Sequence, residues 1–207
     1  MSRIRIAPIV EGHGEVQAIR ILLDRVWREI AGGQYAEVLQ PIRRPRSQLL
    51  KEDELKRAVQ LAFAKLRQTP AAETPNVVLV MADAEPDAAC ILAPRLLGWA
   101  KAAAEHVAVC CVLPNPEYET WFAAAAESLT DYVALQDGEN APTEPEKARH
   151  GKSWVQRRFK GVRYSETVDQ PRLTARMDLQ MCRQRSPSFD KLCRELERHR
   201  SPSQGLP

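Results

Sequence analysis

The sequence of residues 76–82, NVVLVMA, decides the fold because it is apolar on both faces and is followed directly by acids. A strand of this kind is typical of the interior of a parallel sheet, where helices cover both sides. Residues 3–10 (RIRIAPIV) alternate and then become continuously apolar, and residues 106–113 (HVAVCCVL) are apolar on both faces. Both segments predict buried strands, and a helical pattern follows each of them. This alternation predicts an α/β fold with a doubly wound parallel sheet of about four strands flanked by helices.

The remaining segments supply the helices and one more strand. The apolar spacing predicts a second strand over residues 35–42. It also predicts four helices, over residues 15–30, 52–68, 88–105 and 117–127. The turn-forming segment 136–146 precedes three further predicted helices, residues 144–160, 173–183 and 188–199. We therefore predict an α/β domain over residues 1–135 and a helical, basic C-terminal extension over residues 136–207, packed on the same domain.

Charge is distributed unevenly along the chain, although the net charge is only +3. Residues 1–140 carry 15 Lys/Arg and 19 Asp/Glu, whereas residues 141–207 carry 15 Lys/Arg and 8 Asp/Glu. An acidic body with a basic C-terminal third suits a metal site beside a surface that contacts a polyanion. A solvated basic helix face without a partner explains the same pattern, and charge alone does not separate the two.

The composition also bears on cellular location. No apolar run approaches the roughly 20 residues that a membrane helix needs, and the N-terminus has no signal-peptide pattern. The five cysteines show neither a CxxC motif nor a Cys/His ligand spacing. We expect a soluble, cytoplasmic protein with free thiols and no membrane partner.

Acids follow three of the predicted strands at the point where each strand ends. Because the carboxyl ends of parallel strands meet at one edge of a sheet, these acids are expected to lie together. Crowded carboxylates need a compensating cation, and Mg²⁺ or Mn²⁺ is held by such oxygens, as one ion or as two about 4 Å apart. The predicted metal ligands are Glu11, Glu15, Asp83, Glu85, Asp87 and Glu119.

Each acid also has an ordinary structural explanation. Glu15 suits the first turn of a helix, where the helix dipole favours an acid. Asp83 or Asp87 could cap the next helix, and Glu119 could be surface charge. The coincidence of all these acids at strand ends, rather than any one of them, favours the metal site.

The chain resembles proteins of the TOPRIM (topoisomerase–primase) fold. Val10-Glu11-Gly12 with Glu15 resembles the first motif of that fold. Asp83-Ala84-Glu85 resembles the second motif, with a Glu in place of the second Asp. Two further segments, Glu119-Thr120-Trp121-Phe122 and Ser186-Pro187-Ser188-Phe189, resemble a group of stand-alone bacterial TOPRIM-like proteins catalogued as a domain of unknown function.

The resemblance implies a Mg²⁺-dependent fold used for cleavage, joining or primer synthesis of nucleic acids. The related OLD-type nucleases act with an ATPase in phage defence. By this resemblance Glu11 is a general base or metal ligand, and Glu15, Asp83 and Glu85 are metal ligands, with Asp87 as a substitute for the missing second Asp. OLD-type nucleases also use a lysine near the scissile phosphate, and Lys152 and Lys160 are candidates by position.

Three functions are compatible with these features. The first is a metal-dependent nuclease with Glu11, Asp83 and Lys152 as catalytic residues, whose basic third would hold the DNA or RNA backbone through Arg157, Arg158, Lys160 and Arg163. The second is a non-catalytic module that binds nucleotide or nucleic acid, or regulates a partner ATPase. The third is a small-molecule phosphohydrolase, although no P-loop cradle is present.

Overall fold

The computed structural model describes residues 3–68, 74–135, 141–147 and 151–200, and its centre is a five-stranded sheet. The strands are β1 (Arg3–Val10), β2 (Tyr35–Val38), β3 (Ile42–Arg43), β4 (Asn76–Met81) and β5 (Ala108–Val112). They pair in parallel in the order β2-β1-β4-β5, and β3 also pairs with β1. The predicted α/β class and its parallel sheet are confirmed.

The predicted strand over residues 35–42 is in fact two strands. The N–H of Leu39 still donates to the carbonyl of Ile6 at 2.9 Å, but Pro41 has no N–H to continue the ladder. The chain therefore leaves β1 after β2 and rejoins it as β3, opposite Ile9 and Val10. This second contact brings the basic segment after β3 to the carboxyl end of β1.

Helices cover both faces of the sheet. They are α1 (His13–Arg25), which continues into a π-helical turn (Val26–Ile30), α2 (Arg46–Leu49), α3 (Glu52–Gln68), α4 (Ala89–Ala103), α5 (Glu119–Ala124), α6 (Gly151–Arg158), α7 (Glu166–Arg176), α8 (Leu179–Arg185) and α9 (Pro187–Glu197). One apolar core lies between the sheet and α3 and α4. The other core combines the opposite face of the sheet with α1, α5 and the last three helices.

The C-terminal helices differ from the prediction in two places. Within the described residues, the predicted helix over 144–160 is limited to α6, because residues 141–147 form turns. The predicted helix over 173–183 is two helices, α7 and α8, which separate at Met177 and Asp178. Asp178 caps α8 by accepting the N–H of Met181 at 2.9 Å. The predicted helix over 188–199 is confirmed as α9.

Two general features complete the fold. In the part of the chain that the structure describes, no helix is both long and apolar enough to cross a membrane. The five cysteines form no disulfide, and four of them are buried while Cys90 is exposed. The predicted turn segment over residues 136–140 lies outside the described residues.

Candidate functional site

A cavity of about 200 Å³ lies at the carboxyl edge of the sheet. Glu11 follows β1, Asp83 follows β4, and the loop after β5 leads to Glu119. Parallel strands therefore bring together acids that are far apart in sequence. Among the described residues, six acids line this carboxylate cavity: Glu11, Glu15, Asp83, Glu117, Glu119 and Glu166.

Backbone contacts hold Asp83 in place. Its Oδ1 accepts the N–H of Tyr118 at 2.9 Å. The next residue, Ala84, donates its N–H to the carbonyl of Pro114 at 2.9 Å, so the loops after β4 and β5 are tied together. Burial, followed by the negative charges of nearby carboxylates led by Glu15, raises the pKa of Asp83 well above its usual range.

Glu15 has both of the roles considered from the sequence. Its carboxylate accepts the N–H of Gly12 and so caps the first turn of α1, where an acid is favoured. The side chain is only 4% exposed and also lines the carboxylate cavity. Burial raises the pKa of Glu15 from 4.5 to about 7, although the hydrogen bond from Gly12 opposes that rise.

The loop after β5 contributes two acids with different surroundings. Glu119, the first residue of α5, is buried and accepts the hydroxyl proton of Tyr164 at 2.9 Å. Burial raises its pKa, although the hydrogen bond from Tyr164 opposes the rise. Glu117 accepts the N–H of Lys152 at 2.7 Å. Glu119 is therefore part of the interior of the site and not surface charge.

Arg46 forms an ion pair with Glu11, and its role was not predicted. Its Nη1 lies 3.5 Å from Glu11 Oε2, a buried oxygen that accepts no hydrogen bond within the described part of the chain. The same guanidinium donates to the carbonyls of Asp83 and Ala84 and pairs with Asp87 at 2.6 Å. Burial raises the pKa of Glu11, and the charge of Arg46 partly offsets this. The sequence signal for Arg46 was only a run of basic residues.

Two of the predicted metal ligands lie elsewhere. Glu85 and Asp87 are exposed and line a different cavity of about 290 Å³, together with Asn115 and Glu146. The chain turns outward after Asp83, and Asp87 is directed to Arg46. The structure therefore brings together Glu11, Glu15, Asp83 and Glu119, and it does not bring Glu85 and Asp87 to them.

Lys152 lies at the margin of the carboxylate cavity. Its ammonium group pairs with Glu166 at the start of α7. These two residues also line a neighbouring, more open cavity of about 470 Å³, which Arg163 and Ser165 border. The ion pair thus separates the acidic interior from a mixed polar surface.

The other predicted nucleic-acid contacts lie along α6 and the segment that follows it. Arg157, Lys160 and Arg163 are exposed, whereas Arg158 is half-buried with its guanidinium 4.6 Å from the centre of the Trp154 ring. Of these four residues, Arg163 borders the cavity that adjoins the carboxylates. The placement is compatible with a basic approach to the site from the side of α6.

Sequence reasoning missed two residues that α7 contributes to the cavity, Glu166 and Gln170. Their spacing of four residues places both on one face of a helix, which was the available signal. This spacing alone does not predict a place in the cavity, because the packing of α7 beside α1 cannot be read from it.

The donors of the cavity suit a hard divalent cation in their chemistry. Carboxylate oxygens are the ligands that Mg²⁺ prefers. Among the described residues, the buried Glu11 Oε2 has an ion-pair contact with Arg46 at 3.5 Å but no hydrogen-bond donor. Among the residues that the structure describes, no three His, Cys, Asp or Glu side chains are already arranged to hold an ion. The oxygen donors therefore fit such a cation, and their side chains would have to close around it.

A comparison with known protein families identifies the family of this chain. Residues 10–197 match the family described as Domain of unknown function (DUF4276). The chain belongs to this family. The DUF4276 match runs from the last residue of β1 to the last residue of α9 and so includes every side chain of the carboxylate cavity. Neither the curated proteins nor the solved structures provide a match.

The raised pKa of Glu15 predicts how the stability of the metal-free DUF4276 protein depends on pH. A carboxyl whose folded-state pKa is raised favours its neutral form in the fold. Its contribution to stability is fully present below pH 4.5 and is lost as pH rises through about 7. Between pH 5 and 8, the free energy of unfolding in urea with EDTA should lose about 3 kcal/mol through this group.

The Glu15→Gln variant isolates this effect, because glutamine keeps an acceptor for the Gly12 N–H but does not titrate. The difference in unfolding free energy between the variant and the wild type should grow with pH over that range. A difference that stays constant from pH 5 to 8 would show that Glu15 titrates normally.

Proposed function

We propose that this DUF4276 protein is a metal-dependent nuclease that hydrolyses phosphodiester bonds of DNA or RNA with Mg²⁺ or Mn²⁺. The observation that carries the proposal is the set of buried and half-buried carboxylates around one cavity. Burial raises the pKa of four of them, Glu11, Glu15, Asp83 and Glu119. Like charges packed together away from water repel one another, and a divalent cation relieves that repulsion.

The TOPRIM resemblance supports the same proposal. Glu11 and Asp83, the leading acids of its two motifs, both line the carboxylate cavity. Glu85, which stands where the second motif has its second Asp, lies outside it. Glu119 of the next strand end would then supply the acid that Glu85 does not.

Different residues of the cavity would have different roles in this reaction. A divalent cation, when bound, stabilises negative charge that develops on the phosphate. Asp83 and Glu119, each held by a hydrogen bond, would be the fixed ligands. Glu11, partly exposed and with a raised pKa, would accept the proton of the attacking water. Lys152 would leave Glu166 to neutralise the phosphate.

The basic residues near the cavity would hold the nucleic-acid backbone. Arg157, Lys160 and Arg163 are exposed and can contact phosphates without losing a buried partner. Such contacts release counterions, so binding should weaken steeply as salt concentration increases.

Cleavage assays with matched glutamate variants test the proposal. Plasmid and single-stranded substrates would be incubated with pure protein and Mg²⁺ or Mn²⁺. Glu11→Gln should lower the rate about 100-fold or more because it removes the proton acceptor. Glu85→Gln is the control for the same change outside the carboxylate cavity and should cleave close to the wild-type rate.

Two outcomes would count against the nuclease. One is a wild-type protein that cleaves nothing with either metal, alone or with a partner ATPase. The other is a Glu11→Gln variant that cleaves as fast as the wild type. Equal losses in Glu11→Gln and Glu85→Gln would show that the site extends beyond the carboxylate cavity.

A second candidate is a non-catalytic module that binds nucleotide or regulates a partner ATPase. The position of Glu85 outside the cavity favours it, because the second motif then lacks its second acid at the site. Titration calorimetry separates the two candidates early. Heat of binding at millimolar Mg²⁺ supports the nuclease, and its absence supports the module.

A further inference from the structure

Gln170 of α7 has an amide oxygen in an unusual position. The side chain is 3% exposed and lines the carboxylate cavity. Its Oε1 is buried and accepts no hydrogen bond from the residues that the structure describes. An unsatisfied buried acceptor costs about 1–3 kcal/mol, so a partner from outside the described part of the chain would stabilise this oxygen.

Gly14 leaves the space that this oxygen occupies. A Cβ at Gly14 would lie 2.0 Å from Gln170 Oε1 and 2.9 Å from the carbonyl oxygen of Glu166. Only a glycine therefore allows α1 and α7 to approach this closely. The close approach places the amide oxygen against the first turn of α1, beside the carboxylate of Glu15 in the lining of the same cavity.

The segment of α7 that carries Gln170 is held firmly. The carbonyl of Gln170 accepts the hydroxyl of Thr174 at 2.7 Å, and that hydroxyl lies 2.9 Å from the hydroxyl of Tyr118. Tyr118 in turn donates its N–H to Asp83. A short chain of contacts thus fixes α7 relative to the loop that carries Asp83.

We propose that Gln170 Oε1 is a neutral oxygen ligand of the divalent cation in the carboxylate cavity, supplied by the C-terminal helices. The inference rests on the proposed metal site. A carboxylate at this position would add to the repulsion among the buried acids, whereas an amide oxygen coordinates a hard cation without adding charge. Residues from both parts of the chain would then complete the site.

Calorimetric titration of the full chain with MnCl₂ tests this role. Gln170→Met keeps the length of the side chain and removes its oxygen, and it should raise the Kd for Mn²⁺ about tenfold or more. Gln170→Glu restores an oxygen and should bind Mn²⁺ at least as tightly as the wild type. Gln156→Met makes the same change at an exposed position of α6 and should leave the Kd unchanged.

The unfolding temperature without metal separates a ligand from a merely structural residue. Gln170→Met should unfold at or above the wild-type temperature, because it removes an unsatisfied buried oxygen. An unchanged Kd in Gln170→Met would overturn the inference and leave the carboxylate site standing. A lower unfolding temperature in both Gln170 variants, with Kd unchanged, would do the same by showing a packing role. A wild type that binds no Mn²⁺ would overturn the proposed metal site itself.

Discussion

Asp83→Asn is expected to abolish metal-dependent cleavage while making the metal-free protein more stable. Asparagine has the same shape and still accepts the N–H of Tyr118, so the loop keeps its hydrogen bond. It removes one charge from a carboxyl whose pKa burial and nearby acids raise well above its usual range. We expect the cleavage rate to fall roughly 1,000-fold, since a ligand is lost at the reacting phosphate.

The stability gain should be measured at pH 8 with EDTA, where the carboxylates of the wild type repel one another. A gain of at least about 1 kcal/mol corresponds to a rise of roughly 2–4 °C in Tm for a chain of this size. Stability gained where activity is lost is typical of charged active sites. With added Mg²⁺ the wild type should have the higher Tm of the two proteins, because Mg²⁺ binds and stabilises the wild type more than the variant.

Asp131→Asn is the matched control, since Asp131 is exposed and away from the carboxylate cavity. It should change neither cleavage nor Tm. If Asp83→Asn lowers the Tm in EDTA, the carboxylate of Asp83 stabilises the fold and the cluster is not strained. If Asp83→Asn keeps full activity, Asp83 is not a ligand.

The fold was predictable where local pattern and tertiary structure agree. The apolar runs of β1, β4 and β5 have few alternatives to an interior strand, and each was found within two residues of its predicted ends. Helix α7 was placed wrongly because its polar first turn and Pro171 weaken the helical pattern. Packing against α1 stabilises α7 in spite of them, and this contact cannot be deduced from α7 alone.

The residues of the candidate site also differ in how far the sequence predicts them. Glu11, Asp83 and Glu119 could be predicted because topology alone brings strand ends together. Glu85 differs because it lies four residues after the end of β4. At that distance the path of the loop decides the direction of the chain, and here the loop leads outward to Arg46 and Asp87. Contacts across long sequence separations, such as that of Gln170 with the cavity, have no local signature.

Trp121→Ala is expected to lower the stability of the protein by about 3–5 kcal/mol. The side chain is fully buried, and its Nε1–H donates to Ser188 Oγ at 2.9 Å. Its ring lies 5.2 Å from that of Phe189, in an edge-on contact. Truncation would leave a large cavity between α5 and α9 and remove one of the two hydrogen bonds of Ser188 Oγ, whose other partner is Ser186 Oγ at 3.2 Å. Urea unfolding followed by circular dichroism measures the loss.

Trp99→Ala is the matched control. Trp99 is half-buried on α4, where its ring lies 5.4 Å from the guanidinium of Arg95, so its truncation should cost clearly less. A Trp121→Phe variant should fall between the two because it keeps the ring contact and loses the hydrogen bond to Ser188.

The same experiment tests whether the C-terminal helices and the sheet form one folding unit. Trp121 lies two residues after Glu119 and contacts Phe189 of α9. The apolar core around Trp121 therefore joins α9 to the helix that carries Glu119. A single unfolding transition, shifted as a whole in Trp121→Ala, is expected, together with weaker Mn²⁺ binding as Glu119 loses its support. Two separate transitions, or a loss smaller than that of Trp99→Ala, would mean that α9 folds independently. In that case the site could not depend on α9.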